Sequence, residues 1–314
     1  MHRRKIQLIA GTTYSISLPK EWVIKNKLKE KCEVLVYEKN NRNLVITPEF
    51  RDEKQLNEIS LNVDEYEKTI NHVLFAVYYL GIENINLFSK KEISKEVKAR
   101  IRKALAHMSG TEINYEDKQK IKIKVLLDKA KVDVIQVLYR TSLIIDMSIT
   151  SILEELDLKE IRINEDEIDR LYHLMTKIIS TALIDSNVLG SSKIKNVSLI
   201  PSYFLISKKL ENIGDNIKHM AEYLAEKKVS LNKEKEVLEF IKKEISRSIK
   251  HLMKEKPGIF EKTPDYNQVS STISKIKDQI ISDFLDDSRR YLMDIEEEIV
   301  MISFYNKMIR EKTL

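Results

Sequence analysis

Residues 3–48 read RRKIQLIAGTTYSISLPKEWVIKNKLKEKCEVLVYEKNNRNLVITP. Tyr14, Ile16 and Leu18 alternate with Thr13, Ser15 and Ser17, so this strand has one apolar face and one hydroxyl face. Gly11 suits the turn that precedes it. Pro19 fits the first position of a short helix, where its missing N–H costs nothing, and Trp22, Val23 and Leu28 give that helix an apolar side. Val34 to Tyr37 and Leu44 to Ile46 flank Asn40-Asn41 and predict a second hairpin. The order is strand, turn, strand, short helix, hairpin.

A unit of about 45 residues with few large apolar side chains lies near the size at which a lone chain stops burying enough surface to fold. The sequence therefore predicts completion by a second copy. Residues 1–50 carry 10 basic against 5 acidic side chains, a net +5 that equals the value for all 314 residues. Everything after Phe50 balances at 44 against 44. Excess charge concentrated in one small module is the electrostatic footprint of an anionic partner, and a dimer doubles it.

The segments TTYSISLPKEW, KLKEKCEVLVYE and NLVITP resemble the AbrB-type swapped-hairpin domain over about the first 48 residues. The resemblance implies that two chains interleave their hairpins into one module that binds double-stranded DNA. One departure is visible: Lys31 and Cys32 stand where the family usually has a glycine before the last hairpin. The candidate DNA contacts are Arg3 and Lys5 on one strand face, Arg4 near the chain start, the Thr12 hydroxyl, and Lys20 at the helix start.

Cys32 is the only cysteine, so no intrachain disulfide forms and a reducing compartment is expected. No apolar stretch follows the basic start, which argues against a signal peptide. The longest nearly uninterrupted apolar run, Val73 to Ile82, is about half of what a membrane-spanning helix needs. A cytoplasmic protein that is not embedded in a membrane is the expectation.

Residues 51–130 predict a small α/β connector. Tyr66, Ile70, Val73, Leu74 and Val77 have helical spacing before Gly81. Ile85 to Phe88 reads as a strand, Ser94 to Met108 as an amphipathic helix ended by Gly110, and Glu112 to Tyr115 with Ile121 to Leu127 as further strands. No glycine-rich phosphate loop and no nucleophile beside a base occurs there, so the connector is assigned a spacer role.

Residues 131–314 predict an antiparallel helical bundle, which makes the whole chain α+β and mainly α. Val134, Val137, Leu138, Thr141, Ile145, Ser148 and Ile152 form one stripe, and Ile168, Leu171, Tyr172, Met175, Ile179 and Ala182 a second. In the third, Leu199, Tyr203, Ile206, Leu210, Ile213, Ile217, Met220 and Leu224 step by alternating four and three, the seam of antiparallel bundle packing. Ser207, Gly214 and Ala221 leave a strip of small side chains beside that seam. A glycine within a helix costs about 1 kcal/mol relative to alanine, so Gly214 predicts close approach of another backbone or a ligand.

Lys208 to Ile217, together with Glu165-Asp166-Glu167-Ile168-Asp169-Arg170-Leu171-Tyr172, resembles one three-helix repeat of the PhoU-type phosphate-uptake regulators. That resemblance implies two repeats, here 131–229 and 230–314. It also implies Glu/Asp-xxx-Asp motifs that hold metal ions on the third helix of each repeat, and partnership with a phosphate transporter and its signalling kinase. Archaeal relatives join such a domain to an AbrB-type reader. Glu211 and Asp215 fit the first motif. In the second repeat Leu238, Ile241, Ile245, Ile249 and Leu252 mark the first helix, Pro257 to Pro264 a break, Val269 to Leu285 the second helix, and Ser288 to Ile299 lies in the third. Asp294 and Glu298 keep the four-residue spacing with the acid types reversed, and Met301 stands where Glu297 would need an aspartate partner.

Two carboxylates four residues apart lie on one side of a helix and can reach a single divalent cation, or an iron- or zinc-type ion. The competing explanation is a solvated face neutralised by Lys208 and Lys218. His2, His72, His107, His173, His219 and His251 form no His-xxx-His pair, although His219, four residues after Asp215, could extend a metal cluster. No catalytic residues are assigned and no enzyme is expected. The sequence thus predicts a dimeric DNA-binding regulator of phosphate uptake with a helical sensor or partner-docking half. A cytoplasmic adaptor that docks on a transporter or kinase without binding DNA is the alternative, and a metal-dependent hydrolase the third.

Overall fold

The computed structural model describes residues 3–39, 43–48, 57–228, 231–254 and 258–312, which divide into two compact units at Leu56/Asn57. In the first unit β1 (Gln7–Ile9) pairs antiparallel with β2 (Thr13–Ser15). Helix α1 (Lys20–Lys25) follows, and then the antiparallel pair β3 (Val34–Lys39) and β4 (Asn43–Pro48). The expected order of elements is present; Asn40 and Asn41 lie outside the described residues. Ala10 and Gly11 both have positive φ, 52° and 75°, and the Thr12 N–H donates to the Ile9 carbonyl, a primed turn matched to strand twist. Lys31 also has a positive φ, 69°, at the turn where the AbrB-type pattern has glycine. Two local expectations change. Pro19, with ψ 128°, precedes the helix as its cap residue, and Lys20 is the first helical position. Strand β1 begins only at Gln7, so Arg3 and Lys5 lie on the lead-in to the strand and share no strand face.

Among residues 3–36 and 44–48 of this unit none is buried. Ile6, Leu8, Ile9, Tyr14, Ile16, Ile24, Val36 and Leu44 are each more than half exposed. Two-stranded hairpins are at best marginally stable in water, and these two have no core between them.

The second unit opens with β5 (Glu58–Asn62), α2 (Ile70–Tyr79), β6 (Asn84–Phe88), α3 (Lys95–Ala106), β7 (Thr111–Glu116) and β8 (Lys120–Val125). The strands form one sheet in the order β5-β6-β8-β7, with β5 parallel to β6 and the other pairs antiparallel. Strand β5 was not legible in the sequence. Ile85, Leu87, Ile121, Ile123 and Val125 point to one face and pack with Ile70, Leu74 and Val77 of α2 and Val97, Ile101 and Ala104 of α3. Both helices therefore cover the same side of the sheet.

The bundle comprises α4 (Val134–Leu153), α5 (Leu158–Ala182), α6 (Ser186–Ser191), α7 (Ile200–Lys227), α8 (Lys233–Leu252), α9 (Tyr266–Ile273) and α10 (Gln279–Lys312). Asp133 and Asp157 cap α4 and α5 by accepting two backbone N–H groups each. Helix α7 packs against α4, α5 and α10, and its predicted seam from Leu199 to Leu224 is at most 4 % exposed at every position. The predicted helix from Val269 to Leu285 is not continuous. Helix α9 stops at Ile273, and the Asp278 carboxylate accepts from the N–H groups of Ile280 and Ile281, which starts α10 and places Leu285 on the same helix as Ser288 to Ile299. Of the Pro257 to Pro264 break, Pro257 lies outside the described residues.

The sheet module is fastened to the bundle along one stripe of α5: Asp166, Arg170, His173 and Lys177. Arg170 Nη1 donates to Ser109 Oγ at 2.6 Å, and the His173 ring stacks on Phe75 at 3.9 Å and bonds the Tyr79 hydroxyl. His107 Nε2 lies 3.9 Å from Asp166. Lys177 is wholly enclosed: its Nζ donates to the Tyr78 carbonyl at 3.0 Å and lies 4.3 Å from the Tyr78 ring centre. Burial pulls its pKa down to about 8.

Gly214 faces a side chain of α5 and not another backbone. A β-carbon there would sit 2.9 Å from Ile168 Cδ1 and 3.3 Å from Ile168 Cγ2, so the side chain of α5 fills the space. Gly214→Ala gains about 1 kcal/mol of helix propensity but overpacks this contact at about 1–3 kcal/mol. A net loss of about 1 kcal/mol is expected in urea unfolding, recovered when Ile168→Val removes Cδ1 in the same chain. A more stable Gly214→Ala single variant would contradict the packing explanation.

Candidate functional site

The close contact of Ile168 with Gly214 brings the neighbouring carboxylates of α5 and α7 together. Glu165 and Asp169 stand one helical turn apart on α5, and Asp215 follows Gly214 on α7. Each of the three offers a carboxylate oxygen within 4.8 Å of the others. A hard cation binds oxygen at about 2.0–2.6 Å, so oxygens at this separation can share one ion. The donor set has no histidine or thiolate, which suits magnesium, manganese or calcium better than zinc. Lys218 ion-pairs with Glu165 and lies 3.6 Å from Asp215, leaving the group with an excess of negative charge. Burial, reinforced by Glu165, Asp215 and Glu211, pushes the Asp169 carboxyl up to about 7.

Glu211 takes another role. Both its oxygens accept from Lys208 Nζ, at 2.7 and 2.6 Å, and burial holds its carboxyl above the usual range against the pull of that ammonium. Of the predicted pair, Asp215 therefore lies in the three-carboxylate group, while Glu211 stands one turn away, neutralised by lysine. The group includes Glu165 and Asp169, to which no role was assigned in the sequence. Their i, i+4 spacing within Glu165 to Tyr172 is the signal that could have found them. The His219 ring stacks on Phe284, with centres 6.3 Å apart, and is not part of the group.

Asp294 and Glu298 occupy α10, and neither belongs to a group of three metal-capable side chains among the described residues. Asp294 pairs with Lys209 at 2.7 Å. Two further acids are buried, Glu244 on α8 and Glu296 on α10, and the Arg247 guanidinium bonds to both. The Thr263 hydroxyl, with one proton to donate, lies 2.6 and 3.0 Å from oxygens of the same two carboxylates. An arginine supplies the positive charge there.

In the first unit Arg3, Arg4 and Lys5 are exposed on the lead-in to β1, with Arg4 Nη1 donating to the Arg3 carbonyl at 3.3 Å. Thr12 is exposed in the β1–β2 turn, and Lys20 is exposed at the start of α1. All five predicted DNA contacts are thus open to solvent.

Comparison with protein families gives two matches. Residues 134–224, spanning α4 to α7 and containing all three clustered carboxylates, match the PhoU domain. Residues 7–53 match the family described as antidote-toxin recognition MazE, bacterial antitoxin. The chain thus joins a MazE/AbrB-type domain at its front to a PhoU domain, and neither match is to a catalytic family. No curated protein and no solved structure matches the chain. No helix among the described residues is long and apolar enough to cross a membrane.

The raised Asp169 pKa has a signed consequence. Between about pH 4 and 7 the folded chain keeps a proton that the unfolded chain has released, so metal-free stability falls as pH rises through that window. Asp169→Asn carries no such proton. Urea midpoints measured in chelator should show the wild type losing stability relative to Asp169→Asn from pH 4 to 7. Parallel pH profiles would refute the assignment.

Proposed function

We propose that the chain is a dimeric, DNA-binding transcriptional regulator of phosphate uptake, acting in the cytoplasm, with a bundle that holds a divalent metal and serves as sensor or docking module. The observation that carries this is the first unit: net +5 in residues 1–50, yet no buried residue among 3–36 and 44–48. Each large apolar side chain fully buried contributes about 1.5–3 kcal/mol, and eight of them lie mostly exposed in a single copy. A second copy interleaved with the first gives those side chains a core and doubles the cationic surface. Arg3, Arg4, Lys5, Thr12 and Lys20 then contact phosphate oxygens of a duplex.

The PhoU match supports a link to phosphate status and to a phosphate transporter or its signalling kinase as partner. Glu165, Asp169 and Asp215 hold the ion, with Lys218 as the counter-charge that the ion competes with. Glu211, Asp294 and Glu298 stand outside the group of three metal-capable side chains found among the described residues, and Glu211 and Asp294 pair with Lys208 and Lys209.

The test is binding of the full chain to DNA upstream of the phosphate-transport genes of the source cell, with sedimentation in parallel. A dimer is expected, with affinity falling by about 10³–10⁵ between 50 and 200 mM salt for roughly 6–10 phosphate contacts. Replacing Arg3, Arg4 and Lys5 by alanine should abolish tight binding and flatten the logarithmic salt slope by about five. Manganese should raise the unfolding midpoint of the wild type and leave Asp169→Asn unchanged. A dimer that ignores DNA at low salt while retaining a transporter or kinase partner would identify an adaptor instead.

A further inference from the structure

The outer groove between α4 and α5 leaves four large apolar side chains partly in solvent. Leu143 and Met147 stand one turn apart on α4, 44 % and 50 % exposed, and Ile163 of α5 is 59 % exposed. Asn164 Nδ2 donates to Ser148 Oγ at 3.1 Å, which sets the turns that carry Met147 and Ile163 level with each other. Leu156, in the connection from α4 to α5, is 37 % exposed and lines the groove with Met147. Arg140 and Glu167, one turn further along the same two rows, pair at 2.5 Å, so charge at that end is answered within the chain. The end near Leu156 is different. Glu154, Glu155, Asp157 and Glu160 line it, and among the described residues none of the four has an ion pair. Asp146 lines it too, with Lys242 at 3.8 Å. Lys159 is the one basic residue between 154 and 161, and Arg162 beyond it pairs with Glu222.

Local helix chemistry accounts for only half of these acids. Asp157 caps α5 and Glu160 sits in its first turn, where the helix dipole favours negative charge, but Glu154 and Glu155 stand at the negative end of α4, where it does not. A single ion does not answer the charges either: among the described residues they form no group of three whose oxygens lie within 4.8 Å of one another. Spread carboxylates beside an apolar strip suit an extended cation with an apolar side, and they repel nucleic acid and anionic lipid. Beyond Asp146 the next groove, along α8, holds Lys242, Lys243, Arg247 and Lys250 with Glu239, so the positive part of an occupant lies over 154–160 and not further along. We propose that the α4–α5 groove docks a cationic amphipathic helix of a partner protein, its lysines or arginines over Glu154, Glu155, Asp157 and Glu160 and its apolar row on Leu143, Met147, Leu156 and Ile163. Leu143 to Glu154 covers about 16 Å of helix length, which matches about three turns of such a partner. This site rests on the reading of the bundle as a docking module and gives its partner a chemistry; it shares no residue with the duplex contacts or the metal group.

The experiment uses the full chain and a fluorescent synthetic peptide of about 18 residues, with leucines at helical spacing on one side and lysines on the other. A scrambled peptide of the same composition and one with glutamate for every lysine run in parallel. Anisotropy should show the amphipathic cationic peptide binding more tightly than the scrambled one, with affinity falling as salt rises, and the glutamate peptide not binding. Glu154→Gln with Glu155→Gln should weaken binding roughly two- to 30-fold, and Met147→Ala with Ile163→Ala about fivefold or more. Removing two acids from the end of α4 should leave the urea midpoint equal or higher, so lost binding in that variant is not lost folding. The titrations are made in chelator and without DNA, so failure of the duplex or metal assignments does not reach them. A transporter or kinase partner that binds the Glu154/Glu155 variant as tightly as the wild type would leave the docking module standing and overturn this groove as its site. The proposal is also overturned by no peptide binding at low salt, by equal binding of the scrambled peptide, or by binding that survives both groove variants. Displacement by magnesium at constant ionic strength, without chelator, would make an ion the occupant, and groove variants that alter sedimentation would make it a second copy; either result overturns the proposal.

Discussion

Ile168 of α5 lies against the bare backbone of α7 at Gly214, and that single approach fixes much of the second unit. It sets the separation of the two helices one turn on either side of Glu165, Asp169 and Asp215, so the carboxylates meet because the apolar side chain next to them has nowhere else to go. The opposite consequence falls on the other side of α5. Asp166, Arg170, His173 and Lys177 occupy a neighbouring stripe and fasten the sheet module, so one helix carries both the acidic group and the joint. A helix constrained along two faces has little freedom to rotate, because interiors are close-packed and yield little to rotation.

The two groups of acids in the bundle solve the same electrostatic problem differently. In the first, three carboxylates face one another with one lysine against them, and burial and mutual repulsion keep a proton on Asp169 near neutrality. In the second, Glu244 and Glu296 are more deeply buried but share Arg247 and the Thr263 hydroxyl, so their charge is answered within the chain. A buried carboxylate is tolerated only when paired and hydrogen-bonded. Arginine meets that requirement permanently; an exchangeable cation would meet it conditionally.

Elements with a strong local signal were legible in the sequence, and those fixed by contacts distant in the chain were not. The α7 seam from Leu199 to Leu224 follows from spacing alone, and the hairpins of the first unit follow from alternation and turn residues. Strand β5 is only five residues long, with Glu58, Ser60 and Asn62 interrupting its apolar pattern, and it exists because β6 supplies a parallel partner. The break after Ile273 depends on one aspartate cap inside an otherwise periodic stretch. Asp215 could be picked out as an acid at helical spacing, but its neighbours Glu165 and Asp169 stand on another helix, while Glu211 is paired with Lys208 along its own. Tyr115 is displaced to the outer face by a single unpaired residue, which no periodicity reports.

Since none of residues 3–36 and 44–48 is buried, the dimer proposed above would tie the folding of the first unit to how much protein a cell holds. If folding of that unit and pairing of two chains are one event, the amount of competent reader grows as the square of chain concentration when chains are scarce. Halving expression would then quarter the reader, and a gene controlled by it would respond to dosage more steeply than proportionally. Abundance itself would become an input, set alongside whatever the bundle detects.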